Sequence, residues 1–302
     1  MTAPAPLHGG FAESELHDVL DRACAQAGLD ATGAELLRGH TNAVFRLRHH
    51  PVVVKIASKG SPTASVERTV ALVQWLMDLG FPTVPLHPVQ QPVLVDNQHA
   101  ATFWTYLPQD AAEPITAHDL ADPLHTLHAL TNPPIRPREL NNIGAIRYSL
   151  AAITLLPDDD MQFLSDRADQ LEDDLQHVQF AFPDCVVQGD PQHRNALRAG
   201  DRTVLCDWDT LAWGAPDWDL VTIEVHCRRF GYAPAHYEDF TAAYGFDIRT
   251  SPGYPVLRDI RELRMITTNA RKARQTPGTI NEVRERIAGL RRGDTNLRWH
   301  IL

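Results

Sequence analysis

Val187-Gln188-Gly189-Asp190-Pro191-Gln192-His193-Arg194-Asn195-Ala196-Leu197, VQGDPQHRNAL, follows an apolar run and carries an Asp and an Asn five residues apart. Taken by itself it fits two structures. One is a surface turn in which Asp190 and Asn195 bond to nearby backbone amides. The other is a loop that presents a proton acceptor and a metal ligand.

What lies downstream narrows the choice. Thr203-Val204-Leu205-Cys206 is a second short apolar run, and Asp207 ends it, twelve residues after Asn195. Pairing Cys185-Val186-Val187 with residues 203–206 as a hairpin would bring Asp190, Asn195 and Asp207 to one end. Two carboxylates and an amide oxygen are hard donors of the kind that hold Mg²⁺ beside phosphates. A carboxylate left out of the metal shell can take the proton of an attacking hydroxyl.

Upstream, residues 36–56 read as strand, turn, strand, turn, strand, with Val44–Leu47 alternating and Val52–Ile56 forming an apolar strand. Lys55 sits inside that last strand, where a lysine is costly without an anionic partner. Glu67, placed in the first turn of a helix expected at 65–79, is a candidate partner, although an acid at a helix start is also a routine favourable charge. The turn Gly39-His40-Thr41-Asn42 has backbone amides suited to phosphates but only one glycine, so a plain hairpin turn fits it as well.

After Pro108 the pattern becomes helical, with helices expected at 117–130, 160–178, 216–231, 234–244 and 255–275. The fold class is therefore α+β: a small β-rich lobe at 1–107 and a larger helical lobe at 108–302 that carries the catalytic-type loop. An apolar run long enough to span a bilayer is missing from the sequence, and the four cysteines form no CxxC pair. A cytoplasmic protein with no membrane and no nucleic-acid partner is expected, the net charge of −10 disfavouring the latter. The charge is uneven: Asp247 onward holds 12 basic and 6 acidic residues, leaving 16 and 32 in residues 1–246. Such an acidic body would attract a cationic substrate, and solvated helix faces explain it equally.

The order Lys55, Glu67, Asp190, Asn195, Asp207 is the parts list of phosphoryl transfer in kinase-type folds. In these residues the chain resembles the aminoglycoside phosphotransferase and choline kinase-like family, which has a bilobal protein kinase-like fold. GDPQHRNAL (189–197) is similar to its catalytic loop, and VLCDWDTLAWGAPDWDL (204–220) to its metal-binding segment. The resemblance runs from about Leu36 to Lys272. It implies ATP and Mg²⁺ as cofactors, with Asp190 as catalytic base and Asn195 and Asp207 as metal ligands. Lys55 would contact the α and β phosphates and be placed by Glu67. The linker backbone around Trp104 and Tyr106 would meet the adenine, and Asp219 would tie the segment after Asp207 to the helical lobe.

The resemblance also implies a small-molecule hydroxylated substrate, first among them an antibiotic such as an aminoglycoside, so that the role would be antibiotic resistance. A choline or amino-sugar kinase is an alternative, as is a catalytically silent protein that binds nucleotide or ligand. Asp217, Glu224 and His226 are candidates for the acceptor walls, the two acids suiting an ammonium group. Arg258, Arg261, Arg264 and Arg271, most of them along one helical side, would form a solvated face, the common case, or meet a carboxylate or phosphate instead. One position departs from the family pattern: Gln188 stands two before Asp190, where histidine is usual.

Overall fold

The computed structural model describes residues 10–39, 42–274 and 276–302. His40 and Thr41, the centre of the expected phosphate-facing turn, lie outside the described residues, as does the start of the chain. The chain divides into two compact units. One holds Met1–Pro114, Asn132–Pro137 and Ala196–Asp209, and the other holds Ile115–Thr131, Arg138–Asn195 and Thr210–Leu302.

The first unit is built on an antiparallel sheet of β1 (Glu35–Gly39), β2 (Ala43–Arg46), β3 (Val52–Ile56), β4 (Val93–Val95) and β5 (His99–Thr105), in the order β1-β2-β3-β5-β4. β3 is central, with Lys55 opposite Val44 on one side and Thr102 on the other. Side chains alternate across a strand. Val52, Val54 and Ile56 therefore go into the core with Phe45 and Phe103, where helix α1 (Glu13–Gln26) adds Leu16, Val19 and Leu20. Lys55 is left on the other face. Helix α2 (Thr63–Asp78) buries Leu72, Val73 and Leu76 and packs near β5.

The hairpin departs from expectation. Residues 203–206 do not pair with 185–187. Instead β7 (Ala196–Ala199) pairs with β8 (Arg202–Leu205) around the tight turn Gly200-Asp201, Gly200 having φ +60°. That turn needs a left-handed residue, which Gly supplies without strain. β8 is fastened in the first unit by the Val84 amide, which donates to the Leu205 carbonyl at 3.0 Å.

In the second unit β6 (Cys185–Val187) pairs antiparallel with β9 (Ala212–Gly214), a strand too short to show as an alternating pattern. Helices α3 (Ala117–His128), α4 (Asn142–Leu150), α5 (Asp158–Leu175), α6 (Asp217–Arg229), α7 (Pro234–Tyr244), α8 (Tyr254–Lys272) and α9 (Ile280–Arg291) make up the rest. Their core gathers Ile146, Leu164, Leu171, Trp218, Leu263 and Ile287. Thr116 caps α3 in a reciprocal box with Asp119, which settles two of the helix's first amides. Among the described residues no helix is long and apolar enough to cross a membrane.

Candidate active site

Two groups of functional side chains stand out, one in each unit. In the first unit, Lys55 Nζ lies 2.7 Å from Asp207 and 2.9 Å from Asp209. The Asn42 amide donates to Asp209 at 2.5 Å and accepts from the Ser58 amide at 3.0 Å. Trp208, between the two acids, is buried and donates to the Thr83 hydroxyl at 2.8 Å. That anchor fixes the segment, and the carboxylates on either side stay 42% and 47% exposed. Asp207 has φ +58°, a left-handed conformation uncommon outside glycine and tolerated best by Asp and Asn. Burial alone would push the Lys55 ammonium down. The charges of Asp209 and Asp207 outweigh this and hold it above its ordinary value.

Asp209 was not among the expected partners. Its signal was the Asp-Trp-Asp triplet, whose apolar centre turns inward and so leaves both acids on the outside. Glu67 is not brought to Lys55: it is the fifth residue of α2, past its first turn, and exposed. Trp104 is buried in β5, its indole donating to Thr102 at 2.9 Å. Tyr106 donates its amide to Pro51 at 2.8 Å, with the Arg46 guanidinium 4.2 Å above its ring.

In the second unit the chain leaves β6 through Gln188 and Gly189 into the loop of Asp190. Both carboxylate oxygens of Asp219 hold this exit, accepting from the amides of Gln188 (2.7 Å) and Gly189 (2.8 Å). His128 reaches the same carboxylate at 3.1 Å, and Trp218 donates to the Gly189 carbonyl at 2.9 Å. Asp219 thus ties α6 to the loop exit and to α3. Gly189 has φ +84°, and a Cβ there would lie 2.2 Å from the Thr210 carbonyl oxygen, so only glycine fits.

Gln188 is fully buried and its side-chain oxygen accepts from the Asp190 amide at 2.7 Å. The glutamine that departs from the family pattern is therefore a loop anchor. Asn195 is buried in a single 3₁₀ turn, His193–Asn195, and its amide nitrogen donates to the Asp190 carbonyl at 2.8 Å. His193 packs beside His236, their Nε2 atoms 2.8 Å apart.

The Asp190 carboxylate accepts from Arg261 of α8 at 2.6 Å and from Gln192 at 2.8 Å. Burial alone would raise its pKa. The charges of Arg261 and Arg264 and these hydrogen bonds outweigh burial and hold it below the ordinary value. The arginines were visible in the sequence as a row spaced by three, but nothing there paired one of them with Asp190.

The three acceptor-wall candidates are all enclosed. Asp217 accepts from the amides of Ala181 (2.7 Å) and Phe182 (3.2 Å), and burial raises its carboxyl. Glu224 is paired with Arg228 at 2.8 Å. His226 lies among His193, Phe230 and Tyr232, and burial pushes its pKa down to about 3.

The sequence pattern of the phosphotransferase enzyme family matches residues 32–260, about three-quarters of the chain. The chain belongs to this family. As a member of the phosphotransferase enzyme family it is an enzyme that acts on a hydroxyl acceptor. Solved structures agree on an α+β, protein kinase-like fold. The amicoumacin kinase hAmiN, in complex with AMP-PNP, Ca²⁺ and amicoumacin, has a TM-score of 0.69 at 12% identity, covering 92% of this chain and 96% of that one. The choline kinase LicA from Streptococcus pneumoniae gives 0.66 at 16% identity, covering 91% and 99%. The aminoglycoside phosphotransferase APH(3'')-Id from Streptomyces rimosus, with ADP and streptomycin, gives 0.57 at 18%, covering 82% and 98%. No curated protein matches. Within this phosphotransferase, the family match takes in Lys55, Asp190, Asn195, Asp207 and Asp209 but ends at Ile260, just before Arg261.

Proposed function

We propose that the chain is an ATP-dependent small-molecule kinase that moves the γ-phosphoryl group of ATP to a hydroxyl, with Asp190 as base. The observation that carries this reading is the Asp190 carboxylate, held ionised on a loop that Asp219, Gln188 and Trp218 fix at four backbone atoms. The acceptor oxygen attacks the γ-phosphorus, the bond to the β-phosphate oxygen breaks, and the hydroxyl proton passes to Asp190. Lys55, kept cationic by its two carboxylates, is assigned to the nucleotide phosphates. The backbone near Trp104 and Tyr106 is assigned to the base of the nucleotide.

Asp207 and the side-chain oxygen of Asn195 are hard donors, the Asn195 nitrogen being already committed to the Asp190 carbonyl. Each is a donor type that suits Mg²⁺, which when bound would neutralise charge on the phosphates. The names of the neighbours, kinases of amicoumacin, streptomycin and choline, support an acceptor among antibiotics or hydroxylated metabolites. The test is ADP release over a panel of hydroxylated acceptors by wild type and Asp190→Asn. Turnover lost in the variant supports the reading, and equal turnover contradicts it.

A further inference from the structure

The charge around Asp190 is opposite to what a cationic acceptor requires. Arg261 bonds one carboxylate oxygen at 2.6 Å, and Arg264, one turn on along α8, adds a second guanidinium to the same neighbourhood. Both lie over the ring of Trp218, at 5.9 and 5.6 Å from its centre. Arg264 bonds Asn142, a neutral partner, and has no carboxylate partner among the described residues. Arg261 also keeps a buried Nε donor with no partner there. Two guanidinium groups therefore face a single carboxylate, leaving one positive charge uncompensated in a partly desolvated place. Uncompensated buried charge is costly, and buried donors without partners are rare.

The acids that would have to bind an ammonium group are committed elsewhere. On α6, Asp217 and Asp219 accept backbone amides and Glu224 pairs with Arg228. On α8, Asp259 pairs with Arg167 and Arg258, and Glu262 with Arg228 and Arg229. Every carboxylate on these two helices has a protein partner. An oxyanion, by contrast, would find a planar guanidinium fork suited to accepting two parallel hydrogen bonds.

We propose that the acceptor carries an anionic group, carboxylate or phosphate, which Arg264 binds together with Arg261 while the hydroxyl is presented to Asp190. This rests on Asp190 being the base of the phosphotransferase. It narrows the acceptor to hydroxy acids, hydroxylated phosphates or antibiotics bearing such a group, and excludes purely cationic alcohols.

The test is calorimetric titration of the full chain, held saturated with Mg²⁺-ADP so that anions do not read the nucleotide site. Inorganic phosphate and gluconate are the anionic probes, and choline and kanamycin the cationic ones. At least one anion is expected to bind more tightly than either cation, and Arg264→Gln to weaken it about tenfold or more, a loss typical of a charged hydrogen bond. Arg264→Lys should retain part of the affinity. The tighter anion tells carboxylate from phosphate. Cation binding equal to or tighter than both anions, no binding of either anion at millimolar concentration, or an unchanged affinity in a folded Arg264→Gln overturns the proposal. If that variant does not fold, the order of affinities in wild type decides alone. Failure of Mg²⁺-ADP itself to bind would instead overturn the phosphotransferase reading.

Discussion

Lys55 is bonded to Asp207 and Asp209 together, one ammonium between two carboxylates 2.7 and 2.9 Å away. The lysine is 15% exposed and the acids nearly half exposed, so the cluster is closed toward the strand and open toward solvent. That arrangement keeps a cation charged on an otherwise apolar strand and leaves both carboxylates partly exposed.

Lys55→Ala is therefore expected to cost activity far more than stability. Its partners are exposed enough to be hydrated when it is gone. Loss of a phosphate-directed cation should lower kcat/KM for ATP by about 10²-fold or more. Steady-state kinetics with thermal unfolding checks both. A large drop in melting temperature with unchanged kinetics would make Lys55 structural.

Gly189→Ala should destabilise the fold. The added methyl would overlap the Thr210 carbonyl, at 2.2 Å, on a backbone with φ +84°. Steric overlap and the left-handed penalty together amount to about 2–5 kcal/mol. Urea unfolding measures it as a lower midpoint with an unchanged slope.

Asp219→Asn keeps the size of the side chain but removes a charge and one acceptor. The Gln188 and Gly189 amides both depend on that carboxylate, which is fully buried. A loss of about 2–4 kcal/mol is expected, from one weakened and one lost charge-assisted bond. Because these amides position Asp190, kcat should fall while the KM for ATP holds. A change confined to KM for ATP would contradict this.

Which parts of this were legible in the sequence follows from where each signal resided. Asp190 and Asp207 follow short apolar runs and Lys55 interrupts one, so local contrast singled them out as candidates. Asn195 joined them by its spacing from Asp190, and only the order of the set along the chain gave them a proposed chemistry. Strand pairing did not show itself that way. Val186 and Val204 look like partners by composition, yet the turn at Gly200-Asp201 sends β8 to β7, and β9 is only three residues long. Helix α9 was not expected although Ile280, Val283, Ile287 and Leu290 recur at helical spacing and pack into the core; Arg286 shares its inner face, buried beside Trp299. The Arg261–Asp190 pair joins positions 71 residues apart, and no spacing rule reaches across that distance.

His226 makes stability depend on pH. Burial lowers its pKa from 6.5 to about 3, so the unfolded chain binds its proton more tightly than the folded one. Its contribution is fully present above pH 6.5 and is lost as pH falls from there toward 3. In that window one proton's difference is worth about 1.4 kcal/mol per pH unit. Melting temperature against pH should fall less steeply below pH 6.5 in His226→Phe than in wild type. Parallel curves would show that the residue is not buried in its neutral form.

The central claim is that Asp190 is the base for phosphoryl transfer, and single-turnover chemistry with a turned-over acceptor tests it most directly. Wild type and Asp190→Asn are each loaded with γ-labelled ATP, after equal nucleotide affinity and an intact fold are verified. The expected result is acceptor phosphorylation slower in Asp190→Asn by about 10²- to 10⁴-fold. Equal rates in the two proteins would contradict the account.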